Sequence, residues 1–384
     1  MSTDAQLAVV GLGLIGSAAV RHAAVMGSDV VGVGPGEPED WSTHAGPFAS
    51  HYDSGRITRL LDPSPIWSEL ARRSIAQYPE IAGRSGVEFH APVGLLWVGG
   101  LADLRPVGES LGVDTTAIPF GNRTDLPFAF GEDDETILEP APAGHIDPRR
   151  MLRAQQMAAA HDGASLVEDV VESIEERDGG VRLYLRSGGC LHAATAIVSA
   201  GAYAGLLAGR QVPIVPTTEA IVLGEVSSAE ASRLSGLPAV IHQDASSGHL
   251  DVYAVPPVRY PDGRWYLKLG AETESDHIVD DDESVRRWMA GEESESRRRP
   301  LIEKLTGMLP GVEFLSFAVK PCIYARTPTL LPFVDHLGPR VVVAAGGNGR
   351  AAKSADAIGS LAARLALSGD WDDPLPSAMF ALPV

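Results

Sequence analysis

Short apolar runs alternate with amphipathic stretches along the chain, and their spacing predicts the elements. The apolar run ending in Val9-Val10 reads as a strand, residues 17–26 as a helix and residues 29–34 as a second strand. Residues 64–82 predict a helix with Ile66, Trp67, Leu70 and Ile75 on one side. Asp147 followed by Pro148 predicts a capped helix over 148–161. Residues 93–98, 167–174, 181–185, 195–203, 220–223, 249–255 and 265–269 read as strands between turn-rich segments. Residues 35–55, rich in Pro, Gly, Ser and His, read as a long loop, and 100–143 is poorly periodic. Residues 281–309 read as helical, with Asp280-Asp281-Asp282-Glu283 first and Arg297-Arg298-Arg299 late. That polarity suits the helix dipole, and both charge runs read as a solvated face. The chain closes with a strand at 341–345, the loop Gly346-Gly347-Asn348-Gly349 and a helix over 354–367. No internal repeat or low-complexity segment is visible.

Between the first strand and helix stand Gly11, Gly13 and Gly16, spaced G-x-G-x-x-G. Strand, tight glycine turn and helix N-terminus form the arrangement that holds a dinucleotide pyrophosphate. Gly11 permits the turn, Gly13 lets the backbone approach the phosphates, and Gly16 lets helix and strand pack closely. The competing reading is a purely structural turn. One expected part is missing: the second strand should end in an acid for the ribose hydroxyls, but Gly34-Pro35-Gly36 stands there and Glu37 is the nearest acid. Either Glu37 reaches back or backbone and water hold the ribose. The motif alone leaves the dinucleotide open. The loop after it holds Ser42, Thr43, His44, Ser50 and His51, which suit phosphate or flavin contacts as readily as a solvated loop.

The chain has 384 residues, too many for one ordinary core, so two domains or one large two-part fold is expected. Apolar residues make up 45% and charged residues 21%, an ordinary globular mix. A net charge of −19 disfavours nucleic acid and anionic membranes as partners, though not a small anionic substrate held by local Arg and Lys. No run approaches transmembrane length, and Met1-Ser2-Thr3-Asp4 lacks a basic signal region, so a cytoplasmic location is expected. The two cysteines, Cys190 and Cys322, are expected to stay unpaired in a reducing compartment.

Several blocks occur in one order: the glycine turn, Ser50-His51 through Arg59, Val93-Gly94-Leu95-Leu96 and Ile197-Val198-Ser199-Ala200-Gly201-Ala202-Tyr203. Leu267-Lys268-Leu269-Gly270, Cys322-Ile323-Tyr324 and Val343-Ala344-Ala345-Gly346 through Lys353 and Gly359 follow. Taken together they resemble the flavin-dependent amine oxidases of the monomeric sarcosine oxidase and N-methyltryptophan oxidase family, within the wider D-amino-acid and glycine oxidase group. The resemblance runs nearly end to end and is poor over 100–143 and 225–250.

The resemblance implies FAD as the dinucleotide and an α/β fold, with a Rossmann-like FAD-binding domain and a mostly antiparallel β-sheet substrate domain. The expected division is 1–90, 144–215 and 320–384 for FAD, and 91–143 and 216–319 for substrate. It implies cofactor contacts from Gly11, Gly13, Leu14, Ile15, Gly16, Ser50, His51, Val171, Ala200, Gly201, Gly346, Gly347, Asn348, Gly349 and Lys353. It further implies a thioether from Cys322 to the flavin, whereas Cys190 reads as a buried structural cysteine. Lys268 matches the lysine that promotes oxygen reduction, a role that suits a cation beside developing negative charge; its alternative is a strand-edge lysine facing solvent. Arg59 and Lys353 match the substrate-carboxylate clamp, for which Arg offers a planar fork. Arg56 would lie near the ring, and Tyr253 either closes over substrate or fills the core.

Two positions depart from the family: Glu272 and Arg350 stand where sarcosine-type members carry histidines. Their opposite charges suggest an ion pair, or a pocket reshaped for an amino acid with a longer or polar side chain. The expected reaction is oxidation of a C–N bond in a secondary or cyclic amino acid, with hydride to flavin, O2 as acceptor, and imine and peroxide as products. Cations at Arg59, Arg350 and Lys353 would lower the amine's pKa, so no protein base is named. A monomer with no metal and no macromolecular partner is expected. The alternatives are a flavin dehydrogenase with another acceptor, a flavin-binding protein without turnover, and an NAD-dependent dehydrogenase.

Overall fold

The Ala5–Val10 strand is buried at every position but one, because it is sandwiched between neighbours on both edges and covered on both faces. It runs parallel to Val30–Gly34 on one side and to Cys190–Val198 on the other, with Leu7 in register with both Val30 and Thr195. Ser165–Glu168 and Val341–Ala345 extend the sheet outward, again in parallel. Short apolar strands such as Val30–Gly34 and Val341–Ala345, buried at every position, are the pattern of a parallel sheet with both faces covered. Phe333–Gly338 and the Val171–Arg177/Gly180–Leu185 hairpin add antiparallel margins. This computed structural model describes residues 4–41, 43–123, 125–208, 212–243, 251–273, 275–279, 281–291 and 294–383. Ser42, Asp280 and residues 249–250 of an expected strand lie outside them.

Helices Leu14–Val25, Pro148–His161 and Ala355–Ser368 are tied together by one buried polar network. Arg21 donates to Asp356 at 2.7 Å and to Gln155 at 2.6 Å, and Gln155 donates to Asp356 at 2.9 Å. Around it Leu7, Val9, Val20, Ile197, Val342, Ile358 and Leu361 form one apolar core.

A second eight-stranded sheet runs Ser316–Arg326, Val215–Val226, Trp265–Ala271, Asp251–Arg259, Ala239–Gln243, Leu95–Val98, Glu135–Glu139 and Ile118–Pro119. All its pairings are antiparallel except Ala239–Gln243 with Leu95–Val98. Side chains alternate between the faces of a strand. Ala220, Val222, Leu267 and Leu269 therefore pack on one side with Trp288, Leu301 and Leu305, which leaves Glu219, Ile221 and Lys268 on the other. A third, three-stranded sheet joins Arg56–Thr58, Gly144–Ile146 and His90–Ala91.

The fold is mixed α/β, and the expected helix over 148–161 forms with Asp147 accepting from the Arg150 amide at 3.0 Å. Other expectations are corrected. The stretch 281–309 is two helices, Asp282–Met289 and Arg298–Met308, because Gly291 leaves the helix with φ +91°. Arg297 is not on a solvated face: it is buried, ion-paired with Asp276 and stacked 4.7 Å over the Trp288 ring. The strand expected over 167–174 is two, split between the parallel sheet and its hairpin. The helix Arg105–Leu111 and the strand Glu135–Glu139 arise in the segment read as aperiodic. Among the described residues no helix is long and apolar enough to cross a membrane.

Removing Asp356 leaves Arg21 buried and uncompensated. Asp356→Ala is expected to cost about 3–5 kcal/mol, read as a lower urea midpoint at neutral pH. Burial pushes the Asp356 carboxyl up, but His22 and Arg21 outweigh this and hold it below the usual range. Its stabilisation is therefore present above the unfolded value and is lost as pH falls, so the gap to Asp356→Ala should narrow below about pH 4.

Candidate functional site

The carboxyl ends of the parallel strands open into a cavity of about 610 Å³, walled by Val10, Val33, Ser199 and Ala345 among others. This is where open α/β sheets bind ligands. Gly11, Gly13, Leu14, Ile15, Ser50, His51, Arg56, Val171, Ala200, Gly201, Gly346, Gly347 and Gly349 all line it. Gly16, Cys322, Asn348 and Lys353 lie outside its wall. Gly16 packs beneath the turn against Gly11. Asn348 shapes the second glycine loop instead, its side chain donating to Gly346 O at 2.7 Å and accepting from Thr327 N at 2.8 Å. Cys190 is exposed rather than buried, at the outer end of its strand.

At the turn, Gly11 has φ +98°, and a Cβ there would meet Ser199 O at 2.5 Å. The Leu14–Val25 helix has no side-chain cap. Its first amides are thus left for a ligand, and an anion at that end is favoured. These features fit a dinucleotide pyrophosphate. The acid missing at Gly34 also has a physical reason: a Cβ there would sit 2.6 Å from Leu12 N. Glu37 does not reach back, because Arg149 holds it through two hydrogen bonds of 2.5 and 2.7 Å. Asp169 and Glu172 line the cavity instead. His51 is kept neutral, its pKa lowered to about 3 by burial and then by Arg149 and Arg56.

Lys268 does not face solvent; it is 1% exposed. Its ammonium donates to Asp53 Oδ2 at 2.5 Å and to Gly55 O at 2.9 Å. Asp53 also accepts from the Tyr260 hydroxyl at 2.6 Å and pairs with Arg56 Nε at 3.1 Å. Burial raises the Asp53 carboxyl, but Lys268 and Arg56 prevail and keep it ionised. Arg56 continues to Ser50 O at 2.8 Å and to Cys322 Sγ at 3.5 Å. Burial raises the Cys322 thiol's pKa, and Arg56 opposes that.

Arg59, Arg350 and Lys353 meet at a second acid, Asp62, which is fully buried. The contacts are 2.9, 3.3 and 3.3 Å. Arg59 also stacks on Trp97 at 5.2 Å and Lys353 on Trp67 at 5.6 Å. Burial, with help from Arg59 and Arg350, lowers Lys353 to about 7 despite Asp62. Nearby Glu139 is buried and accepts from the amides of Leu60 and Leu61.

The ion pair expected between Glu272 and Arg350 does not form. Glu272 pairs with Arg326 at 3.0 Å and stays half exposed, while Arg350 turns to Asp62. Tyr253 lies across Gly270, its hydroxyl buried. Sequence reading missed Asp53, Asp62, Glu139 and Glu219. Asp62 carried one signal, its spacing three residues after Arg59.

Residues 6–365 match the family model described as "DAO: FAD dependent oxidoreductase". The chain is 26% identical to the monomeric sarcosine oxidase of Streptomyces avermitilis, over 98% of this chain and 97% of that one. It is 25% identical to the monomeric sarcosine oxidase of a Bacillus species, over 96% and 94%. Among solved structures, NikD, described as an unusual amino acid oxidase essential for nikkomycin biosynthesis, superposes with TM-score 0.76 at 18% identity over 99% and 98%. L-Proline dehydrogenase from P. horikoshii superposes with TM-score 0.73 at 16% identity over 99% and 97%.

Restoring an acid at the second strand end should harm the turn rather than improve it. Gly34→Asp is expected to destabilise the protein by about 1–3 kcal/mol and to purify with far less visible absorbance per chain than the wild type.

Proposed function

Because the chain belongs to the family of FAD dependent oxidoreductases, we propose that it oxidises the C–N bond of a small secondary or cyclic amino acid, with O2 as electron acceptor. The observation that carries this reading is the cationic corner where Arg59, Lys353 and Arg350 meet the buried Asp62. It adjoins the cavity wall at Ala351 and Ala352. When bound, FAD supplies the acceptor for a hydride from the carbon beside the nitrogen. Two arginines, joined below about pH 7 by a charged Lys353, face one buried aspartate and leave positive charge in excess, which would draw a substrate carboxylate. Arg59 offers the planar fork and Lys353 the point charge, so the substrate would be fixed with its reacting C–H turned to the cavity. Arg350, about one-third exposed, would meet a longer or polar side chain.

Lys268 would act on the acceptor. Its cation, held in place by Asp53 and Gly55 O, would offset negative charge developing on O2. Cys322 would carry a thioether to the flavin, with Arg56 beside the sulfur to favour its anionic form. In this reading the parallel sheet holds the cofactor, the antiparallel sheet presents the substrate face, and the enzyme is a cytoplasmic monomer. Rapid reoxidation of the reduced protein by air supports an oxidase, and slow reoxidation would point to a dehydrogenase.

Two outcomes follow. Acid precipitation of the holoprotein is expected to leave the yellow colour in the pellet, and Cys322→Ser to release it to the supernatant; release from the wild type would refute the covalent link. Small carboxylates should also perturb the flavin spectrum more strongly at low pH. Lys353 is charged below about pH 7 and neutral above it, whereas a carboxylate ligand stays anionic throughout. Their affinity should therefore fall as pH rises through 7, and Lys353→Met should flatten that dependence.

A further inference from the structure

Glu219 is fully buried, and among the described residues no cation makes an ion pair with it; only the Tyr324 and Tyr253 hydroxyls bear on its carboxylate oxygens. Among the same residues the buried hydroxyl of Tyr253 has no partner other than Glu219. A buried carboxylate without a counter-ion in contact costs several kcal/mol (on the order of 2–7 even for a neutral polar group), so such a group calls for a cationic partner beyond the two tyrosine hydroxyls. Its place in the sheet says which. Glu219 lies in register with Cys322, on the face that carries Lys268. Tyr253 crosses Gly270 toward it, and Tyr324 and Arg56, both coupled to its charge, line the large cavity.

We propose that Glu219 receives the substrate's amine, accepting a hydrogen bond from the ammonium group and then one of its protons. In that step an N–H bond breaks and an O–H bond forms on Glu219, and no electrons leave the substrate. The nitrogen is then neutral when the neighbouring C–H bond gives up its hydride. The assignment rests on the amine-oxidation reading and completes it. The cationic corner at Asp62 suits a carboxylate, and the unpaired anion at Glu219 suits an ammonium, so the two together match a zwitterion. The charged and titratable groups around Glu219 are Tyr253, Tyr324, Cys322, Lys268 and Arg56. Burial raises its proton affinity more than Tyr324, Lys268, Arg56 and Tyr253 lower it, as suits a group that takes up a proton.

The test uses wild-type and Glu219→Gln holoenzymes with two readouts. The first is anaerobic bleaching of the visible absorbance by N-methylglycine, proline and pipecolate from pH 6 to 9. The second is spectral titration with proline against cyclopentanecarboxylate, which lacks the nitrogen. Glu219→Gln is expected to weaken proline binding roughly ten- to a hundredfold, as for a lost hydrogen bond to a charged group, and to leave cyclopentanecarboxylate within about twofold. It should also move the low-pH limb of the bleaching rate while the thermal midpoint holds or rises, because an unpaired buried charge is gone. Equal binding of proline by variant and wild type overturns the assignment, as does equal loss of both ligands with a lowered midpoint. If Glu219→Gln does not accumulate folded, Tyr253→Phe carries the test: a shifted low-pH limb supports the assignment and an unshifted one overturns it. Failure of all three amines to bleach the wild type overturns amine oxidation itself, and this assignment with it.

Discussion

The site hangs on one buried carboxylate. Asp53 takes hydrogen bonds from Lys268 on the antiparallel sheet and from Tyr260, and it pairs with Arg56 on the short third sheet. Two cations at one buried point would repel each other and lose hydration, and the cost is offset only if an anion sits between them. Once Asp53 is there, the loop before it cannot drift, since the same few residues carry Ser50 and His51 into the cavity wall. The irregular loop over 43–55 is thereby fixed at its far end by charge as well as by the packing of Phe48 and Tyr52.

The same logic marks two further places in the fold. At one, cations outnumber the acid they share, Asp62. At the other a carboxylate has too few partners, Glu219. Each imbalance is unfavourable in the free protein and would be relieved by a ligand of the opposite sign. Stability given up at such places is the usual signature of a site shaped for something other than folding.

Legibility followed periodicity and backbone need. The glycine turns, the parallel strands at 5–10, 30–34 and 341–345 and the helix at 148–161 could be read directly, because each is imposed by local geometry or by burial on both faces. Lys268 was legible as a charge in an apolar strand. Glu219 carried the same sign but lay just before the run read as 220–223, in a strand that begins at Val215. Asp53 and Asp62 sit in irregular backbone, where no period marks an inward-facing acid. Opposite charges at 272 and 350 invited a pairing, yet each found a nearer partner in Arg326 and Asp62. Arg297 reads as one of three surface arginines, and the Trp288 ring, Asp276, Ser275 O and Thr218 explain its burial. Contacts between distant segments decide these cases, and one sequence does not display them.

The central parallel sheet also constrains the order in which the molecule can be made. Ala5–Val10 finds Val30–Gly34 early, but its other edge waits for Cys190–Val198, and that strand in turn waits for Val341–Ala345. Pairing over such sequence separations is slow, and open strand edges are prone to association. Nearly the whole chain must leave the ribosome before the cavity has its last wall. Any cofactor that enters there is thus a late event of biogenesis, acting on a chain already folded from both ends.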